Sequence, residues 1–327
     1  MRAPRRVPRP RRPPPVVPGD VVGVAALSSA VAPDALSAGM RELERLGFET
    51  RPASNLLFEW NGFAGRDEER VAGLHELVAA PEVKAIVFAR GGHGLLRVLP
   101  SIDWSLLAAS PKAYVGYSDL APLLLLIATR LGLVTFHGPM VATDLSSPLD
   151  AAERASFLDA LAGRLGRSLP CAPAQAAPAV EGRLLGGCLA MLVSTLGTPW
   201  FPRLEGSLLF LEDVHEPLYR IDRMLTQLEL SGRVARVKGM ILGHLGDETE
   251  DRADASGGGR AAGLTSGEAA WKRLSERPSG GEARILAWDL PCGHGRPNLT
   301  LPLGVRARLD SEAGALVVLD DGLESRR

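Results

Sequence analysis

A lone serine sits between an extended run and an apolar helix in KAYVGYSDLAPLLLLIATRLG (112–132). The run ends at Gly116-Tyr117, Ser118 follows, and the apolar stretch begins at once. So sharp a strand-to-helix turn lifts a hydroxyl clear of the fold. The first N–H groups of the helix, which have no partner within it, then point near that hydroxyl. A scaffold can present a serine nucleophile in this way, and a serine can cap a helix in the same way. Acyl transfer through serine also needs a base, an acid to orient the base, and donors for the oxyanion. Glu212 and Asp213 end the run SLLFLED (207–213), and His294 lies in Gly293-His294-Gly295 directly after ILAWDL. Strand alternation sends Glu212 and Asp213 to opposite faces, so at most one of them can face a shared cleft. Glu216 is a third carboxylate nearby, and the residues alone leave the choice among the three open.

Other patterns carry weaker chemistry. Arg90-Gly-Gly-His-Gly94 has neither a Walker lysine nor GxGxxG spacing, so it reads poorly as a phosphate loop. It reads better as a source of backbone N–H groups beside Ser118. Cys292 and His294 stand two apart, a spacing that does not readily hydrogen-bond a thiol to an imidazole. His75, His93, His137, His215 and His244 occur singly with no metal-ligand spacing, so no metal and no cofactor is expected.

From Gly19 the chain alternates strand and helix. Strands are predicted at 21–27, 82–89 and 112–117, with helices near 34–46 and 67–79. This pattern predicts an α/β fold: a parallel sheet with helices on both faces. Ligands of such sheets lie beyond the carboxyl ends of the strands, which is where the Arg90–Gly94 and Ser118-Asp119 turns fall. Residues 166–181, GRSLPCAPAQAAPAVE, are rich in Pro and Ala without periodicity and read as a linker. It divides a nucleophile-bearing domain (19–165) from a second domain (182–327). Beyond it, strands are predicted at 207–213 and 238–245 and a helix at about 220–230. Residues 246–264 read as a mobile Gly-rich loop. Thr265-Ser-Gly-Glu268 has capping-box spacing for a helix through about Glu276, and strand, loop and strand follow over 283–310.

The chain has 327 residues, 46% of them hydrophobic and 23% charged, enough for two globular domains. Its net charge of −1 conceals an asymmetry: residues 1–18 hold six Arg, seven Pro and no acid, which leaves about −7 on the rest. A mildly acidic body gives no support to nucleic-acid binding. The Arg/Pro segment lacks the apolar stretch of a secretory signal and is expected to be a disordered tail. No run is long enough to cross a bilayer, so no membrane association is expected. Three cysteines make no disulfide framework, and a cytoplasmic location follows as the simplest expectation.

Taken in order, Gly-Tyr-Ser-Asp, GRLLGGCLAMLVSTLGTPW (182–200), LLFLEDVHEPLYRIDRMLTQL (208–228) and GHGRPNLTLPLG (293–304) resemble the LD-carboxypeptidases, also called muramoyltetrapeptide carboxypeptidases. ARGGHG and LVTFHGPM (133–140) fit the same family, and the resemblance spans about Gly19 to Asp310. It implies a flavodoxin-like or amidotransferase-like N-terminal domain, a smaller β-rich C-terminal domain, and a homodimer. It implies Ser118 as nucleophile, Glu212 as the carboxylate and His294 as the base, with a site at the junction of the two domains. The backbone N–H groups of Asp119 and of Gly91 or Gly92 are the candidate oxyanion donors. The chain departs from the family at His93, often tyrosine, and at Cys188, often asparagine.

The implied activity is hydrolysis of an L,D-peptide bond, releasing terminal D-alanine from murein tetrapeptide. Two alternatives stand beside it: a microcin-immunity-like peptidase cleaving a peptide-nucleotide antibiotic, and a non-catalytic α/β protein that binds an anion at the Gly-Gly loop.

Overall fold

Short runs in the first half of the chain build five strands of a six-stranded sheet. The computed structural model describes residues 10–174, 178–245 and 285–319. Strands Val21–Ala25 (β1), Glu49–Pro52 (β2), Val83–Phe88 (β3), Ala113–Gly116 (β4) and Thr135–His137 (β5) run parallel, ordered β5-β4-β3-β1-β2. Alternate side chains serve opposite faces. Val22, Val24, Ala85 and Val87 pack with Leu36 and Leu43 of Pro33–Arg45 (α1). Ala25, Ile86 and Phe88 pack with Leu74, Leu77 and Val78 of Asp67–Ala79 (α2). The expected α/β sheet with helices on both faces is therefore what forms.

Arg167–Pro170 (β6), Ala172–Pro173 (β7), Val180–Cys188 (β8), Ser207–Asp213 (β9), Gly239–Leu245 (β10), Ile285–Trp288 (β11), Arg306–Asp310 (β13) and Ala315–Leu319 (β14) make an eight-stranded sheet, ordered β6-β14-β13-β8-β9-β10-β11-β7. Between β11 and β13 the chain returns to the first sheet, where Leu301–Leu303 (β12) pairs antiparallel with β5. Leu189–Ser194 and Leu218–Leu230, called α7 and α8 once the six helices of the first half are counted, cover one face of the second sheet through Leu189, Leu192, Ile221 and Leu225. Its other face places Leu184, Leu208 and Phe210 in the same core cluster as Val22 and Phe136. The two sheets thus share one continuous core.

Two expectations need correction. The stretch read as a linker supplies β6 and β7. Its prolines fall where the ladder tolerates them, at the two edges of the sheet. The Arg/Pro segment read as disordered is docked from Pro10 onward. Arg11 forms a parallel bridge to Leu133, Val16 N–H donates to Leu161 O at 2.8 Å, and Val16 is 1% exposed. Proline fixes φ, so an extended arm of this composition loses little backbone freedom when it docks. The predicted loop 246–264 and the helix near 265–276 lie outside the described residues.

Candidate active site

β4 ends at Gly116, Tyr117 is still extended, and Ser118 takes φ +61° before a short 3-10 turn leads into Ala121–Leu126 (α5). A positive φ at a residue bearing a Cβ is strained, and it aims the hydroxyl out of the turn. The Ser118 hydroxyl is engaged by His294 Nε2 and not by a helix N–H, so the capping alternative does not describe its role. Gly91 packs directly against it. A Cβ there would sit 2.8 Å from Ser118 Cβ and 2.9 Å from Oγ, so no larger residue fits. The same point lies 3.4 Å from the Asp119 nitrogen, whereas Gly92 packs against Ser29. The Asp119 side chain is buried and works as a fastener. It accepts hydrogen bonds from Ser28 Oγ (2.6 Å) and from Leu95 N–H (2.9 Å). Burial raises its pKa above the ordinary carboxylate value.

Glu212, fully buried near the end of β9, faces this turn from the second sheet. Its Oε2 accepts from His294 Nδ1 at 2.7 Å and from the His294 backbone N–H at 3.3 Å. His294 Nε2 then lies 3.1 Å from Ser118 Oγ, joining residues 176 positions apart. With the Nδ1 proton directed at Glu212, Nε2 is free to accept from the serine hydroxyl. Gly293, at φ +112°, has no room for a side chain, because a Cβ would lie 2.7 Å from Glu212 Oε2. The Tyr117 ring stands edge-on to the imidazole at 4.8 Å, and its hydroxyl donates to Asp144 Oδ1 at 3.2 Å.

The electrostatics follow from burial set against charge. Burial disfavours the His294 imidazolium, but the Glu212 carboxylate and its hydrogen bond outweigh that cost and raise the histidine pKa above its ordinary value. Burial likewise opposes a charged Glu212. The attraction and hydrogen bonds of His294 prevail, and the glutamate pKa falls below its ordinary value.

The His294 loop is held from the first half of the chain. Gly293 N–H donates to Asn298 Oδ1 at 3.0 Å. Asn298 N–H donates to Glu153 Oε1 at 3.0 Å, and Arg296 pairs with Glu153 Oε2 at 3.0 Å. Thr300 N–H donates to Ser156 Oγ at 3.0 Å. Glu153 and Ser156 belong to Ala151–Leu161 (α6), and Glu153 is 2% exposed. Sequence reasoning missed Glu153 and Asn298. The spacing of Asp150 and Glu153 marks a capping box, which is present, but nothing in it signals a second use of the carboxylate.

The remaining candidates lie elsewhere. Asp213 turns away from His294 and accepts from Ala190 N–H (2.8 Å) and Val214 N–H (2.9 Å), holding the start of α7. Burial pushes its pKa up to about 6. Glu216 pairs with Arg220 at 3.0 Å. All three cysteines are buried, and burial raises the Cys292 thiol well above its ordinary value, which opposes a thiolate there. His137 is buried and held down to about 4 by desolvation. Among the described residues no group of three or more His, Cys, Asp or Glu side chains could hold a metal ion.

Residues 22–138 match the sequence model of the LD-carboxypeptidase N-terminal domain, and residues 181–309 match that of the LD-carboxypeptidase C-terminal domain. A probable murein peptide carboxypeptidase of Bacillus subtilis is 39% identical over 68% of this chain and 72% of its own length. The crystal structure of a muramoyltetrapeptide carboxypeptidase from Oxalobacter formigenes superposes with TM-score 0.76 at 31% identity, covering 91% of this chain and 97% of its own. The unliganded microcin C7 self-immunity protein superposes with TM-score 0.82 at 26% identity, covering 95% and 99%.

Proposed function

The chain belongs to the LD-carboxypeptidase family, and we propose that it is a serine peptidase that removes terminal D-alanine from murein tetrapeptide by cleaving an L,D-peptide bond. The observation that carries this reading is the hydrogen-bonded run Ser118–His294–Glu212 at a strained strand-to-helix turn. His294 Nε2 takes the Ser118 proton as Oγ attacks the carbonyl of the L-centred diamino acid residue. Glu212 holds the imidazole in the required tautomer and stabilises the cation that forms. The N–H groups of Asp119 and of the Gly91-Gly92 loop serve the oxyanion. His294 returns its proton to the departing amine, and water, activated by the same imidazole, hydrolyses the acyl-enzyme.

In this reading residues 19–165 carry the nucleophile and residues 182–327 supply Glu212 and His294, so the chemistry depends on how the two halves meet. The protein acts in the cytoplasm as a homodimer. Three unpaired cysteines agree with a reducing compartment, and exposed Tyr219 and Leu230 on α8 offer an apolar face for a second copy. Among the described residues no helix is long and apolar enough to cross a membrane.

A second reading, cleavage of a peptide-nucleotide, draws support from the superposition with the microcin C7 self-immunity protein. Incubation with purified murein tetrapeptide and, separately, with an aminoacyl sulfamoyl nucleoside separates the two. Mass spectrometry is expected to record loss of one alanine from the tetrapeptide. Cleavage of the nucleoside conjugate alone overturns that assignment, and cleavage of neither overturns both.

A further inference from the structure

Arg90 opens the loop whose next residue, Gly91, packs on Ser118. It is half-buried. Its Nη1 donates to Ala30 O at 3.2 Å, its Nε is buried with no hydrogen-bond partner, and its Nη2 lies 3.8 Å from the point a Cβ would occupy on Gly92. Ala30 follows Ser29, whose N–H donates to Gly91 O at 3.3 Å, so the guanidinium is held by the same short segment that holds the loop packed on Ser118. Among the described residues no carboxylate pairs with it. Other arginines of this region are compensated: Arg70 and Arg97 pair with Asp67, and Arg296 pairs with Glu153. A cation partly withdrawn from water without a counter-charge is costly unless a ligand supplies one. The guanidinium fork matches a carboxylate, taking two parallel hydrogen bonds.

We infer that Arg90 anchors the free α-carboxylate of the residue that leaves, one residue beyond the scissile bond. The inference rests on the peptidase reading above and adds to it the source of its exopeptidase character. A peptide that continues past this residue presents a neutral amide there and leaves the guanidinium uncompensated. Selection for a terminal residue then comes from charge.

Hydrolysis of murein tetrapeptide is compared with hydrolysis of the same peptide carrying a C-terminal carboxamide. For the wild-type protein kcat/KM is expected to be on the order of 100-fold higher for the acid, as for the loss of one partner of a close charge pair. Arg90→Met is expected to bring the ratio of acid to amide close to one, with the loss on the acid carried mainly by KM. If Arg90→Met does not fold, Arg90→Gln is read in the same way. A misplaced or loosened loop lowers both rates and leaves the ratio intact, so a variant with the wild-type ratio overturns the anchor. A wild-type protein that cleaves acid and amide alike overturns it too, while leaving the peptidase reading standing. A protein that cleaves neither peptide overturns the peptidase reading and the anchor with it.

Discussion

Ser118 reaches its position through its neighbours in sequence: β4 before it, a short turn, and α5 after it. His294 reaches the other end of the same 3.1 Å contact through residues far away, Glu212 on β9 and Glu153 on α6, the latter acting by way of Asn298. One side is a local strained turn, the other a loop tied down by buried carboxylates from both halves of the chain. The local device has few points of failure, Ser118 itself and the Gly91 packed on it. A loop held at a distance has several points of failure, each of which weakens the chemistry without removing the reacting group.

The strongest test of this contrast is at the serine. Ser118→Ala and Ser118→Gly are each expected to abolish turnover, by many orders of magnitude. They are expected to differ in stability. Glycine accepts φ +61° freely, so Ser118→Gly stabilises by about 1 kcal/mol, read as an upward shift of the urea midpoint. A destabilised glycine variant shows that the turn is not strained.

Next comes the carboxylate. Glu212→Gln is expected to cost about 10³ to 10⁴ in turnover, since shape survives and charge does not. Asp213→Asn loses far less turnover and registers mainly in stability, because Asp213 holds the start of α7. If Asp213→Asn is the more damaging change in steady-state assays, β9 presents the wrong carboxylate to the imidazole. The same pair fixes the pH profile. Only neutral His294 acts as base, and its raised pKa places the acid limb of kcat/KM above pH 6.5. Without the Glu212 charge, burial is opposed only by the lesser attraction of Asp213 and Asp144, and the limb moves to lower pH.

A smaller effect tests the distant clamp. Asn298→Ala frees the Gly293 N–H, and Glu153→Gln weakens the hold on Arg296. Each is expected to lower kcat by about 10- to 100-fold, as outer-shell losses do. KM changes little, and the Ser118 turn still reacts with a fluorophosphonate, only more slowly. Equal losses in kcat and KM contradict a positioning role. The smallest effect belongs to the docked arm. Deleting residues 10–18 removes the buried Val16 side chain, a loss of about 1.5–3 kcal/mol, with turnover per folded molecule unchanged. An unchanged melting temperature shows that the arm contributes nothing.

The same contrast governs what was legible in the sequence. The run around Ser118 reads correctly as strand, turn and helix because each signal lies within a few residues of the next. β9 is likewise plain from SLLFLED. The share of Glu153 in the His294 loop left no local trace, since its spacing from Asp150 already had a full explanation as a cap. Residues 166–181 misled for a related reason: Pro and Ala give no period, yet edge strands need little. The Arg/Pro arm reads as a tail because one buried valine among six arginines is invisible to composition. β12 could not be foreseen in its place, because LPL beside a glycine turn says nothing about which sheet it joins.

That short strand bears on how the protein is made. The first sheet needs Leu301–Leu303 to cover the edge of β5, and the ribosome delivers those residues long after β5 itself. While it elongates, the nascent chain holds a serine turn beside an open β edge, without the His294 imidazole that activates the hydroxyl. His294 and the covering strand emerge within ten residues of each other. Nucleophile activation and closure of the sheet are thereby written into the same short stretch of translation, so a product terminated before it lacks both.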